Sequence, residues 1–266
     1  MIPKTLVPRI GPGIASLVVY AVLMLVAEGL AAQVNIERLR IEDPPMGVSG
    51  SLTGDLTVQT GNTDFVQLGL SGRIYNVTEA LTTLMVGNGG IGFLSRSRFS
   101  SSGLFHYRRT YVFSDWLSPE WYAQANYDRS QKLTFRVVAG GGARTPVAEG
   151  PWGRLAAGTA LMLEHERLEL PDTAAHPQRT TTVRSSSFLT YRFVPNDQLV
   201  VTSTTYVQPR LTEPGDVRML ENFALATPVS ERISLTISFD LRYDSRPPDG
   251  IAGLDTRLRT GLTLTY

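Results

Sequence analysis

From position 48 the chain alternates. Val48, Leu52, Leu56 and Val58 stand between Ser49, Ser51, Thr53, Asp55, Thr57 and Gln59, the period of two that turns apolar side chains to one face of a sheet and polar ones to the other. Gly61, Asn62 and Thr63 then supply turn chemistry. Beyond them Val66, Leu68, Leu70 and Ile74 alternate with Gln67, Gly69, Ser71 and Arg73, so the two runs predict a β-hairpin. The pattern repeats to the last residue, with further strands expected near 80–87, 103–113, 118–128, 132–144, 153–166, 181–193, 198–208, 217–227, 232–243 and 254–266. That makes about twelve strands, with boundaries good to a few residues. The alternation is poor around Leu84 and Met85, and the tenth run puts Glu221 on the apolar face, so about ten or fourteen strands are the neighbouring counts. Most runs reach about ten residues, beyond the usual soluble strand and close to what a tilted strand needs to cross an outer membrane.

The connections alternate in length as well. Short links are expected at 76–79, 114–117, 194–197 and 228–231, and long polar ones at 88–102, 168–180, 209–216 and 244–253. Counted from a periplasmic N-terminus, the short links share one side and the long ones the other, as in outer-membrane barrels; the 61–63 tip is a short external exception. Aromatic residues stand near strand ends at Phe113, Trp116, Trp121, Tyr127, Trp152, Tyr191, Phe193 and Tyr243, the placement of interfacial girdles. A soluble lipocalin-like or sandwich protein, the rival reading, buries its apolar face and would gather aromatics at mid-strand. The expected fold is therefore an all-β, antiparallel, up-and-down transmembrane β-barrel.

The closing run shares Leu258, Leu262, Leu264 and Tyr266 on one face and Arg257, Arg259, Thr263 and Thr265 on the other. Arg259, Gly261, Leu264 and Tyr266 resemble the terminal signature by which the barrel-assembly machinery recognises its substrates, and Tyr266 is expected at the periplasmic interface. The last strand is expected to close against the first, because an open edge in hydrocarbon leaves backbone groups unsatisfied.

The first residues have another character. Lys4 and Arg9 precede an uncharged apolar run over 14–27, followed by small residues at Gly29, Ala31 and Ala32, the layout of a secretory signal peptide. The run falls short of the roughly 20 residues a spanning helix needs. Cleavage is expected after Ala32, with Ala31 the alternative, giving a signal peptide over 1–32, a periplasmic lead-in over 33–47 that carries the Pro44-Pro45 pair, and a barrel over 48–266. Lysine and arginine together number 25 against 24 acidic residues, and they are scattered, so no field recruits nucleic acid. The absence of cysteine removes disulfides, thiolate metal sites, catalytic thiols and a lipoprotein anchor.

Several short motifs carry a family resemblance. The Gly61-Asn62-Thr63 tip, Tyr127-Asp128-Arg129 at a strand end, Arg136 in the next strand and the glycines Gly140 and Gly142 after it make the segment from about position 50 to 167 similar to the domain-of-unknown-function 481 family. The resemblance implies an outer-membrane barrel, some members being labelled salt-induced outer-membrane proteins. It implies no activity.

Candidate chemistry is sparse. Outer-membrane lipid hydrolases pair a His with a Ser, commonly as His-x-Ser, to activate a nucleophile; His106, His165 and His176 are the histidines here, and none has Ser two residues on. His165 stands between Glu164 and Glu166, a cluster read as a solvated rim and without ligand spacing that dictates metal geometry. No catalytic residue, metal site or cofactor is expected, and Gly140 to Gly142 read as small residues that let strands curve and pack. What remains is the lumen. Strand parity turns inward Asp55, Arg73, Glu120, Asp128, Arg136, Arg144, Arg154, Glu164, Arg192, Asp240, Arg242, Asp255, Arg257 and Arg259. Mixed charges in so small a space are expected to pair and plug it, with Asp128 or Glu120 meeting Arg136 or Arg144. A narrow pore with a slight arginine excess that favours anions is the second reading. Expected partners are outer-membrane lipids and lipopolysaccharide, the assembly machinery, and a small solute or ion. The expected role is envelope integrity, osmotic or salt response, or narrow solute passage; a lipid hydrolase or a surface ligand-binding barrel is the alternative.

Overall fold

The structure, a computed structural model, describes residues 44–60, 64–95, 97–196, 198–230 and 233–264, with the backbone alone at 233–234 and 262–264. The signal segment with its Ala32 cleavage site, the 61–63 tip and Tyr266 lie outside the described residues, as does the side chain of Leu264.

Twelve strands follow one another along the chain: β1 (Gly47–Gln59), β2 (Phe65–Val77), β3 (Leu81–Leu94), β4 (Ser97–Tyr111), β5 (Ser118–Asp128), β6 (Leu133–Gly150), β7 (Gly153–Leu168), β8 (Arg179–Asn196), β9 (Leu199–Arg210), β10 (Glu213–Pro228), β11 (Ile233–Asp244) and β12 (Leu254–Leu264). Each pairs antiparallel with the next in one sheet of order β1 to β12. A single turn of 3-10 helix, Arg129–Gln131, joins β5 to β6, with Asp128 Oδ1 accepting from the Ser130 amide at its start.

The alternation predicts the faces. On β4 the buried positions are Ser100, Ser102, Leu104, His106, Arg108 and Thr110; on β7 they are Ala156, Ala160, Met162, Glu164, Glu166 and Leu168. The intervening Phe105, Leu161 and Leu163 are exposed, as are Leu52, Leu56, Leu68 and Leu70 on β1 and β2. The outside is thus apolar and the inside mixed, the inverse of a soluble barrel. The outward aromatics fall into two groups. Tyr127, Phe135 and Tyr243 lie at the end that carries the 169–178 and 245–253 loops, while Tyr111, Phe113, Trp116, Trp121, Trp152 and Phe193 lie at the other.

The sheet curls on itself. Arg218 of β10 reaches Glu164 and Glu166 of β7, Arg242 of β11 binds Gln131, and Lys132 Nζ donates to the Asp249 carbonyl at 2.8 Å. Groups so far apart along a ladder meet only across a lumen. The described ladders end at β1 and β12, and none joins these two strands among the described residues; the expected seam pairing is not formed there, and β1 is exposed along nearly its whole length.

Three expected gaps prove to be strand. The loop expected over 88–102 is β3 and β4 paired up to Leu94↔Ser97, turning through Ser95 at φ 46°. Its glycines are packing devices: a Cβ on Gly92 would stand 2.7 Å from the Phe99 ring. The loop expected over 209–216 shrinks to 211–212, because an irregularity between Glu213 and Val217 lets β10 begin before Pro214. The 145–152 gap is mostly β6, which absorbs Pro146 in a register shift between Pro146 and Ala148.

Candidate functional site in the lumen

Strand parity turns the site's side chains inward, and the curl of the sheet brings them together. Arg136 of β6, Glu164 and Glu166 of β7, Arg184 of β8 and Arg218 of β10 all occupy inward positions, and their side chains are 3–7% exposed. Arg136 holds Glu164 at 3.4 Å and Glu166 at 2.7 Å. Arg218 Nη1 holds Glu164 at 2.6 Å, its Nη2 meets Glu166 at 3.1 Å and its Nε meets Asp244 of β11 at 2.9 Å. Arg184 bridges Glu164 at 3.4 Å and Asp216 at 2.8 Å, and Thr180 Oγ1 donates to Glu166. Three guanidiniums and four carboxylates thus interlock across the curl of β6 to β11, and Arg210 of β9 adds a fourth cation 3.7 Å from Asp216. Buried charges persist only when paired and hydrogen-bonded in this way.

The network lies between two pockets of the lumen. On its inner side a pocket is lined by His106, Arg108, Glu120, Tyr122, Arg136, Glu164 and apolar Met162, Phe188 and Leu220. On its loop side a second pocket is lined by Glu166, His176, Thr182, Arg184, Arg210 and Arg218. Arg136 and Glu164 face the first, Glu166 and Arg184 the second. Within the inner space Glu120 meets Arg108 at 3.5 Å, the His106 ring lies 5.8 Å from that of Tyr122, and Arg108 lies over the same ring at 5.5 Å. Gly140 makes room for this ring, since a Cβ there would stand 2.6 Å from Tyr122 Cζ.

The loop end is tied over the mouth. Asp249 accepts the His176 backbone N–H at 2.7 Å, which holds its carboxyl below the usual carboxylate range. The 245–253 loop is thereby pinned to the 169–178 loop on one side and to Lys132 on the other.

The pairs expected between Asp128 or Glu120 and Arg136 or Arg144 take other partners. Glu120 pairs with Arg108, Asp128 receives the amide and hydroxyl of Ser130 at 2.9 and 2.6 Å, Arg136 turns to β7, and Arg144 lies 5.7 Å over the Phe188 ring. The remaining residues of the inward row sit as follows. Arg73 donates to Ser51 at 3.0 Å, and Asp55 stands opposite Gly69. Arg154 pairs with Glu149 at 2.6 Å, and Arg192 stands opposite Arg154 and Thr202. Arg259 holds Asp240 at 2.6 Å, Arg242 holds Asp255, and Arg257 stands opposite Asp240. Gly261 of the terminal signature pairs with Thr236. His106, Arg108, Glu166, Arg184, Asp216, Arg218 and Asp244 join the inward row without having been expected in it, although Glu166 and Asp244 stand two residues from Glu164 and Arg242 and share their parity. The Glu164-His165-Glu166 cluster is split by that same alternation: both carboxylates face in, while His165 faces out and meets Thr181 Oγ1 at 2.8 Å.

The family described as "Protein of unknown function, DUF481" matches residues 56–266, well beyond the segment that first carried the resemblance. No curated protein matches the chain. Among solved structures it is similar to the NanC porin at 7% identity and a TM-score of 0.45, covering 82% of this chain and 99% of the porin. It is also similar to the translocator domain of the autotransporter NalP from Neisseria meningitidis, at 15% identity and a TM-score of 0.38, covering 96% of this chain and 98% of that domain.

Proposed function

We propose that this chain, which belongs to the DUF481 family of proteins of unknown function, is a non-catalytic outer-membrane barrel whose lumen is closed by its own charges. In this reading it serves the envelope under osmotic or salt stress rather than as an open diffusion pore. The exposed apolar outer face and the two aromatic groups support the membrane reading, as lipid would cover the first and headgroups the second. The observation that carries this reading is the buried Arg136–Glu164–Glu166–Arg184–Arg218 network, whose charges pair with one another between two lumen pockets. An ion crossing it would have to displace paired charges whose mutual attraction is little screened.

Single-channel recording of folded protein in planar bilayers tests the proposal. The parent chain is expected to show no resolved steps. Glu166→Ala with Arg218→Ala, which removes one charge of each sign, is expected to admit small steps. Steady open conductance from the parent would overturn the closed state and favour the narrow-pore reading, which the arginines lining the loop-side space would then make anion-selective.

A further inference from the structure

One carboxylate on the outer wall stands where lipid offers it nothing. Glu221 lies midway along β10, and its odd position points it outward among Met219, Phe223 and Leu225. It accepts a hydrogen bond from Ser203 Oγ at 2.6 Å and another from Thr205 Oγ1, both on β9. Two strands away on the same outer face, Thr159 Oγ1 of β7 and Ser187 Oγ of β8 bond each other at 3.0 Å. Register sets Ser187 opposite Val207 and Val207 opposite Met219, one outward row from Thr205 and Glu221. The outer positions of β1 and β2 include by contrast Leu52, Leu56, Leu68 and Leu70.

We infer that the β7–β10 wall is the contact surface for a second copy of this chain in the membrane; the inference rests on the outer-membrane reading above. The donor and acceptor inventory selects that partner. A carboxylate offers about four lone-pair sites, and Glu221 uses two of them. In the Thr159–Ser187 pair, whichever hydroxyl donates, the other keeps a hydrogen to give. The patch therefore holds spare acceptors at one edge and a spare donor at the other. A two-fold axis between them, near Val207, sets the spare donor of each copy against the spare acceptor of the other, the reciprocal pairing of an isologous interface. Acyl chains provide neither, which is why polar side chains on lipid faces draw membrane segments together.

The chain contains no cysteine, so crosslinking needs no background substitutions. Val207→Cys and, on the opposite wall, Leu70→Cys are expressed in full-length protein and oxidised mildly in isolated outer membranes. Disulfide geometry demands Cβ atoms within about 4.5 Å, so Val207→Cys near the axis is expected to give a dimer band and Leu70→Cys none. Adding Glu221→Leu to Val207→Cys is expected to abolish that band while heat-modifiable migration of the monomer, the mark of a folded barrel, persists. No dimer from Val207→Cys, an equal yield from Leu70→Cys, or a band indifferent to Glu221→Leu with folding intact overturns the inference. If Glu221→Leu does not fold, the contrast between the two single cysteines decides alone. Protein that is membrane-inserted but monomeric refutes this inference only, whereas protein absent from the membrane refutes the outer-membrane reading itself.

Discussion

Arg218 touches three carboxylates, Glu164, Glu166 and Asp244, from a side chain 4% exposed. Removing it leaves buried anions uncompensated, so Arg218→Leu should destabilise the fold by about 3–5 kcal/mol where the site is dry. Urea unfolding from lipid vesicles would measure the loss. Arg218→Lys should recover little of it, because one ammonium cannot reproduce a planar fork with five donors. Gly153 makes a different demand. It opens β7 at φ +132°, and a Cβ there would stand 1.9 Å from the Arg192 carbonyl oxygen. Gly153→Ala should cost at least about 1–3 kcal/mol from backbone strain alone, read in the same unfolding assay, whereas Gly87→Ala, with nothing within 4 Å of its Cβ, should cost far less. Neither demand was legible from residue type. The inward direction of Arg136 and Glu164 followed from parity, but the choice of partner depended on curvature. Arg218 and Glu164 are 54 positions apart, and the alternation of a strand carries no information about which strands meet across a lumen.

At the scale of the element, the two-residue period predicted the strands and their faces wherever both faces were chemically distinct. It failed where proline or glycine imitates a loop. The 88–102 stretch reads as turn chemistry because of Gly89, Gly90, Gly92 and its serines, yet all of it but the turn at Ser95 is described as paired strand, Gly92 being small where Phe99 comes close. The true loops at 169–178 and 245–253 are held by specific bonds, and one of them titrates. The His176 amide lowers the folded-state pKa of Asp249, so the contact contributes fully above the ordinary carboxylate pKa of about 3.9 and is lost as pH falls through the lower folded value. Hydrogen exchange at His176 and across 245–253, corrected for intrinsic rates, should speed up on acidification below about pH 4. Asp249→Ala should show the faster exchange at every pH. Exchange in the parent that ignores this range would contradict the role given to Asp249.

The whole molecule rests on a claim about solvent: the face that would be buried in a soluble barrel is the outer one here. Leu161 and Leu163 are 60% and 52% exposed while Met162 and Glu164 are 4% and 3% exposed, a reversal that makes sense only if lipid covers the outside. The sequence signalled this inversion through its strand lengths and aromatic placement. It could not signal the charge network, which arises only when β7 and β10 face one another. The most direct test follows β7 itself. Nitroxide spin labels attached to single cysteines at each position from 159 to 166, in protein reconstituted in liposomes, report collisions with oxygen, which concentrates in lipid, and with a polar nickel complex, which stays in water. Oxygen accessibility should peak at Leu161 and Leu163, loopward of the Thr159–Ser187 contact, and fall at Ala160, Met162 and Glu164, with the nickel complex excluded from the outward set. An alternation of opposite phase, or odd positions that meet water rather than lipid, would contradict the account.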